Sequence, residues 1–380
     1  MSPLGLGVIG AGTITQRVLH HLRLPDTRAS VQVTAIADPV LERARAVADA
    51  HGSGTAYRSV EELLADPAVD AVTIASPIHL HYEHGLAAIR AGKHVHFNKT
   101  MTVTTAEATQ LINEATAYDV RLVASPGEML RPHNQEIRRL IADGALGRLT
   151  WAACGAAFGN YHVAEPERAA DTINSPDPSW YFRKPGGGPL YDMTVYTLHG
   201  LTGVLGPVRR IAAMSGVRIP HREYQGRTII GDADDNSMAL LDFGDNLFAF
   251  VYGTAAGQLT PDVDFDFSGR YYGTTGAIVG LELNGKPFDY PGADLARSAP
   301  DSGVHSNFGG NEWLLPHITE THRDLIEQHV FEDIMQLVDW VRDGQPSVAT
   351  AEHARHVIEV IECLYRAAET GRTQTLQTAF

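Results

Sequence analysis

Leu4-Gly-Leu-Gly-Val-Ile9-Gly10-Ala-Gly12-Thr13-Ile14-Thr15 is the stretch that decides the fold. A short apolar run passes straight into two glycines, and helix-forming sequence follows as far as Leu22. Read in that order, the run is a buried strand and the first glycine permits a tight turn. The second glycine lets backbone approach a pyrophosphate, which sits at a helix N-terminus where free N–H groups and the dipole favour negative charge. Gly10, Gly12, Thr13 and Ile14 are therefore the first candidate cofactor contacts. Thr15 stands where the dinucleotide fingerprint has its third glycine, so an ordinary glycine turn shares these residues and the surrounding sequence must decide.

The next strand, Val31–Ala37, ends on Asp38, 26 residues after Gly12. A carboxylate there can accept both ribose hydroxyls of an adenosine and repels a 2′-phosphate, which favours NAD over NADP. The competing reading makes Asp38 a cap of the following helix, and Arg43 is the nearest basic residue downstream. Further strands are read at Ala71–Ala75, His94–Phe97 and Arg121–Ala124, with helices at Val40–Ala50, Tyr82–Ala91 and Ala106–Ala117 between them. Apolar strands alternating with helices predict a doubly wound parallel sheet, because both faces of such strands are buried. This Rossmann domain is assigned to residues 1–125.

Beyond a helix at Asn134–Asp143 the pattern changes. Leu149–Phe158, Val208–Ile219, Ser237–Phe243, Leu247–Thr254 and Tyr271–Leu283 read as strands with few helices between them, and Asp242-Phe-Gly-Asp-Asn-Leu has hairpin chemistry. Residues 126–380 are thus expected to form an α+β substrate domain with an open, mainly antiparallel sheet. Residues 284–312 read as a long loop. Two closing helices, Thr321–Arg342 and Ala351–Thr370, are expected to pack back near the first domain.

Composition narrows the partners. With 44% hydrophobic and 20% charged residues the chain is ordinary globular protein, and 380 residues suit two domains. A formal charge of −15 disfavours nucleic acid and anionic lipid. Two distant cysteines, Cys154 and Cys363, imply no structural disulfide and no metal spacing. No signal peptide or membrane span is read at the N-terminus, so a cytoplasmic, soluble protein is expected.

Five ordered segments together resemble the Gfo/Idh/MocA oxidoreductase family, which includes glucose–fructose oxidoreductases and inositol dehydrogenases. They are Gly10-Ala-Gly12 with Asp38; Val69-Asp-Ala-Val-Thr-Ile-Ala-Ser76-Pro-Ile-His79-Leu-His81; Gly92-Lys-His-Val-His-Phe-Asn98-Lys99-Thr100; Gly186-Gly-Gly-Pro-Leu-Tyr-Asp192-Met-Thr-Val-Tyr196; and Tyr271-Tyr-Gly-Thr-Thr-Gly-Ala. The resemblance implies an NAD-dependent enzyme that moves a hydride to or from a ring carbon of a sugar, glycoside or cyclic polyol. It also implies that Ser76, His79, His81, Asn98 and Lys99 border the nicotinamide. Where relatives carry Glu-Lys-Pro this chain has Asn98-Lys99-Thr100, which keeps the lysine expected to polarise the reacting oxygen.

Asp192 and Tyr196, spaced i and i+4, share a face if the segment is helical. Relatives commonly have Asp and His there, and the glucose–fructose oxidoreductase branch has tyrosine at the second position. The resemblance makes Tyr196 the proton donor and acceptor. A phenol near pKa 10 needs a cation such as Lys99 to serve as a base. Asp192 would orient a neighbouring hydroxyl, and His199, three residues past Tyr196, is a further contact or an alternative base. Each has a plainer reading: a surface lysine, or a tyrosine buried between helix and sheet. His79, His81 and His84 look superficially like metal ligands, but no carboxylate or cysteine completes a site, and no metal is expected. Trp180, Tyr181, Phe182 and Tyr161 serve either as a sugar-stacking wall or as core. Gly186–Gly188 reads as a close backbone approach.

Two other functions remain open at this point: NAD-assisted glycoside cleavage through a transient ketone, and non-catalytic sensing of NAD or sugar. An open sheet with one exposed face also predicts self-association as a homodimer or homotetramer.

Overall fold

Six parallel strands make the first sheet, in the order β3-β2-β1-β4-β5-β6. They are β1 (Leu4–Ile9), β2 (Val31–Ala37), β3 (Thr55–Tyr57), β4 (Ala71–Ile74), β5 (His94–Phe97) and β6 (Leu122–Ala124). The intervening helices are α1 (Thr13–Leu22), α2 (Pro25–Arg28), α3 (Leu41–His51), α4 (Val60–Leu64), α5 (His81–Arg90) and α6 (Thr105–Ala117). Every residue of β1 and β4 is buried, as strands covered on both faces require. The order reverses between β1 and β4, the switch point at which ligands bind outside the strands' carboxyl ends. The computed structural model describes residues 2–52, 54–157, 173, 178–224, 226–256, 265–299 and 309–380.

Contacts divide the chain into two units. The first comprises residues 1–127, 166–177 and 315–354; the second comprises 128–165, 178–314 and 355–380. The helix Gln328–Asp343 therefore belongs to the first unit, where it packs on α1, β5 and β6.

In the second unit, α7 (Pro132–Ala142) precedes β7 (Leu149–Ala157), and α8 is Val195–Leu205. The strands that follow are β8 (Arg210–Gly216), β9 (His221–Tyr224), β10 (Arg227–Ile230), β11 (Asn236–Gly244), β12 (Leu247–Thr254), β13 (Phe265–Gly273), β14 (Ala277–Val279), β15 (Glu282–Leu283), β16 (Lys286–Pro287) and β17 (Gln374–Thr375). Nine of them form one sheet in the order β16-β15-β14-β13-β7-β12-β11-β8-β17, antiparallel except for the parallel pair β7 and β12. Strands β9 and β10 pair separately. The sheet alternates along its strands: Ala239, Leu241, Ala249 and Val251 are buried, whereas Met238, Leu240, Phe248 and Phe250 are exposed. Helix α8 packs on β7 and β13.

Three expectations need correction. Tyr271–Leu283 is not one strand: the chain turns after Gly273 and again at Gly280, whose φ is +58°. The helix expected from Thr321 begins at Gln328, because Glu327 has φ +66° and cannot continue a helix from the 3₁₀ turn Glu320–His322. The loop expected over 284–312 carries strand β16 and a short helix, Ala293–Arg297. Cys154 and Cys363 are both buried free thiols. Among the described residues no helix is long and apolar enough to cross a membrane.

Candidate functional site

The first half of the site grows out of the turn after β1. Gly10 has φ +99°, and a Cβ there would lie 2.8 Å from the Ala75 carbonyl oxygen and 3.0 Å from the Ser76 nitrogen. Only glycine lets the β1 turn pass so close to the end of β4. Gly12 occupies the N-cap of α1 with no side chain to satisfy the first N–H groups. Thr13 is 9% exposed, and its hydroxyl has no hydrogen-bond partner among the described residues. Thr15, in the third-glycine position, donates its hydroxyl to the Gly10 carbonyl and braces the turn. An uncapped ten-residue helix with an orphaned buried hydroxyl in its first turn fits a pyrophosphate. Ile14, beside them, is half-buried.

Asp38 lies beside that turn, 4% exposed. One carboxylate oxygen accepts the Ala11 N–H at 3.0 Å and Arg43 Nε at 3.0 Å; the other accepts the Val40 N–H at 2.9 Å and Arg43 Nη2 at 2.8 Å. A carboxylate has about four acceptor directions, and this one has four protein donors. Asp38 thus ties the glycine turn to α3 and carries a bidentate guanidinium. Sequence reading named Arg43 only as the nearest basic residue; the structure makes it the direct partner of the ribose candidate.

The second element joins the ends of β4 and β5. Ser76 Oγ and His84 Nδ1 are hydrogen-bonded at 2.9 Å, while His79 is exposed. His81 is 1% exposed and lies between the Ser76 and Thr100 carbonyl oxygens, each 2.8 Å from a ring nitrogen. Two acceptors favour a doubly protonated ring, but burial outweighs them and pushes its pKa down to about 4. The neutral ring therefore donates to one carbonyl only. His81 thus sits between the Ser76 carbonyl, two residues past β4, and the Thr100 carbonyl, next after Lys99, and donates to one of the two.

On the other side of Lys99, the Asn98 N–H donates to the Ile74 carbonyl at 3.0 Å, and Asn98 Oδ1 accepts the Lys99 N–H at 2.7 Å. Both neighbours of Lys99 are buried and anchored, and Lys99 itself is half-buried. The Lys99–Thr100 peptide is cis.

Within the second unit, Asp192, Tyr196 and His199 are 6%, 5% and 3% exposed. A π-helical turn, Leu190–Thr194, precedes α8, so Asp192 sits on the wider turn and Tyr196 on regular helix. Such turns recur at functional sites because they re-aim one side chain without breaking the helix. This one rests close on the sheet at Gly253, where a Cβ would lie 2.5 Å from Thr194 Oγ1 and 2.7 Å from Leu190 Cδ2. The Gly186–Gly188 run packs against residues 180–183: the Gly187 N–H reaches the Arg183 carbonyl at 3.0 Å and the Gly188 N–H the Tyr181 carbonyl at 2.6 Å. His199 donates Nδ1–H to the Val195 carbonyl at 2.8 Å, and burial pushes its pKa down to about 4, so the ring is neutral.

The aromatic cluster divides. Phe182 is core, 3% exposed, packed with Tyr224 and Ile229, and the Arg222 guanidinium lies 4.4 Å from its ring centre. Trp180 and Tyr181 are half-buried, with ring centres 3.9 Å apart. Tyr161 and the expected strand end at Phe158 lie outside the described residues. Among the described residues no group of three or more His, Cys, Asp or Glu is gathered to hold a metal. Sequence reading missed a buried polar chain from Thr73 through His96 and Ser125 to Asp333. Its one sequence signal was a histidine at an inward position of a strand otherwise apolar inside.

Residues 4–125 match the NAD-binding Rossmann fold of an oxidoreductase family, and residues 134–279 match the GFO/IDH/MocA C-terminal domain. The chain is 26% identical to D-glucoside 3-dehydrogenase of Escherichia coli over 377 residues, 97% of each chain. It is 34% identical to an uncharacterized oxidoreductase of Synechocystis over 220 residues, a match that spans 58% of this chain and 56% of that one. A structure of levoglucosan dehydrogenase in complex with NADH and levoglucosan aligns with a TM-score of 0.75 at 19% identity, covering 99% of this chain and 100% of that one, which is a likeness of fold.

Proposed function

The chain belongs to the GFO/IDH/MocA family of NAD-binding oxidoreductases, and from that premise we propose that it transfers a hydride between NAD and a ring hydroxyl or ketone of a sugar, glycoside or cyclic polyol. The observation that carries the substrate class is the similarity to a glucoside dehydrogenase along 97% of both chains. When bound, NAD supplies the hydride acceptor at nicotinamide C4. The uncapped α1 turn, with Gly10, Gly12, Thr13 and Ile14, holds the pyrophosphate, and Ser76, His79 and Asn98 border the nicotinamide. His81 keeps the Lys99 loop in place. The Lys99 ammonium stabilises negative charge on the reacting oxygen, Tyr196 receives and returns its proton, and Asp192 accepts a hydrogen bond from the neighbouring hydroxyl. His199 contacts substrate from the same helix.

The test is absorbance near 340 nm with NAD and a panel of sugars, glycosides and inositols, with denatured protein assayed for co-purified NAD. NADH formed with one class names the substrate. Free sugar released from a glycoside without net NADH would instead mark redox-assisted cleavage. Protein that carries NAD but changes no member of the panel would mark a sensor.

The preferred cofactor is NAD, and the Asp38–Arg43 pair sets the margin. Arg43 neutralises the carboxylate that would repel a 2′-phosphate and offers that phosphate a guanidinium. Arg43→Ala is expected to raise KM for NADP about tenfold, equivalent to about 1.4 kcal/mol, and to leave KM for NAD within about threefold. Equal shifts for the two cofactors would contradict this assignment.

The exposed sheet face supports self-association. Cross-strand neighbours Met214 and Met238, Leu240 and Phe250, and Phe248 and Trp151 present apolar side chains that are 37–82% exposed, and Trp151 stacks on Tyr272 at 4.1 Å. A contiguous apolar strip of this kind marks an interaction surface. Its occupant is proposed to be the same face of a second copy, in a homodimer or as one contact of a homotetramer. Leu240→Asp with Phe250→Asp is expected to convert the assembly to monomers in sedimentation velocity. An unchanged sedimentation coefficient would exclude this face.

A further inference from the structure

We propose that Asp333, acting through Ser125 and His96, is a positioning residue for Lys99. This inference rests on the function proposed above. Strand β5 ends one residue after a fully buried histidine: Val95, His96 and Phe97 are all 0% exposed. A polar ring in that position is costly unless both nitrogens are satisfied. His96 Nδ1 is 2.8 Å from Thr73 Oγ1 on β4, and Nε2 is 2.9 Å from Ser125 Oγ just past β6. Ser125 Oγ is 2.6 Å from Asp333 Oδ2 on the helix Gln328–Asp343, and the same oxygen accepts the Gly127 N–H at 3.2 Å. One chain of side chains thus stitches the carboxyl ends of three adjacent strands to a helix. The middle strand leads through Asn98 directly to Lys99.

The hydrogens can run only two ways. Burial pushes the pKa of His96 down to about 3, so the ring is neutral and has one N–H, and Ser125 has one O–H. With Asp333 ionised, Ser125 donates to the carboxylate, His96 Nε2–H donates to Ser125, and Thr73 donates to His96 Nδ1. If the carboxyl takes a proton from solvent and gives a hydrogen bond to Ser125, all three bonds reverse and the His96 hydrogen moves to Nδ1. The 2.6 Å separation suits a Ser125 O–H donated to a carboxylate, the arrangement in which the chain is drawn toward Asp333.

The groups that face Asp333 set where this happens. His329 on its own helix favours the ionised carboxyl and Glu332 opposes it, while Glu332 is itself bound by the His317 backbone N–H at 2.8 Å and ring at 3.0 Å. From β5 comes neutral His96, and β6 carries no titratable residue. From α1, Arg17 pairs with Glu327 at 3.2 Å, and His21 bonds to His322 and the Ile326 carbonyl. Burial prevails and holds the Asp333 carboxyl up at about 7. The chain therefore changes direction across neutral pH, and the form that fixes the Lys99 loop is the one above it.

The test uses the NAD-loaded enzyme, Asp333→Asn and Ser125→Ala, with three readings. Wild-type kcat is expected to rise with pH to a plateau above about pH 7. Both variants should lose that inflection and fall about tenfold at pH 8, with KM within about threefold. Ring ¹⁵N spectra should show His96 protonated at Nε2 at pH 8 and at Nδ1 at pH 6 in wild type, but fixed in Asp333→Asn. The acetylation rate of Lys99, read by mass spectrometry against Lys286, should follow the same transition in wild type alone. Persistence of the kcat inflection in both variants overturns the proposal, as does one His96 tautomer at both pH values, or a Lys99 rate unchanged by Asp333→Asn. The spectra and acetylation need no turnover. Protein that passes both yet acts on no sugar refutes the proposed function and leaves this positioning role standing.

Discussion

Lys99→Met lowers kcat about a thousandfold and leaves NAD affinity within about threefold; the rate factor is that of removing a group that stabilises transition-state charge. The loop around Lys99 is held by the Asn98 N–H on the Ile74 carbonyl, by the Lys99 N–H on the Asn98 side chain, and by the His81 ring against the Thr100 carbonyl. None of these uses the lysine ammonium. Methionine keeps the length and the apolar stem, so the loop survives while the charge disappears. Single-turnover kinetics with saturating NAD and sugar read the chemical step, and fluorescence titration reads cofactor binding. Turnover within about threefold of wild type would remove Lys99 from the mechanism.

Tyr196→Phe is the second large effect. General acid–base catalysis contributes about 10²–10⁴ in rate, and the substitution removes only the hydroxyl. The side chain is only 5% exposed near the start of α8, and phenylalanine keeps the ring that fills that space. The expected result is a loss of kcat of at least about a hundredfold with KM for sugar nearly unchanged, because the interaction is made mainly as the proton moves. A small effect would shift the proton to His199, which is neutral and three residues farther along the same helix.

Apolar runs were readable, which is why Leu4–Ile9, buried throughout, and Val31–Ala37 and His94–Phe97, buried at all but two and one of their positions, emerge at their observed limits. Thr55–Tyr57 did not, because three half-exposed residues at a sheet edge have no period to detect. The Gln328–Asp343 helix was extended too far toward its N-terminus because apolar spacing runs on through a backbone reversal at Glu327.

The candidate site was legible where chemistry is local. Gly10 needs its positive φ, and Lys99 stands out at the end of an apolar strand. It was illegible where partners are distant or conformation decides. Ser125 and Asp333 are 208 positions apart, and nothing in either neighbourhood announces their bond. Arg43 grips Asp38 only because α3 begins at Leu41 and carries the guanidinium back over the carboxylate. The π-turn under Asp192 depends on a glycine in another strand, Gly253.

The most direct measurement follows the hydride itself. The enzyme is incubated with NAD and a glycoside deuterated at its ring carbons, quenched, and the nicotinamide cofactor analysed by mass spectrometry. Direct transfer predicts one deuterium at C4 of the reduced cofactor, even if NAD stays bound and no NADH accumulates in solution. A sugar oxidised or cleaved with no deuterium ever reaching the cofactor would contradict the proposed function at its centre.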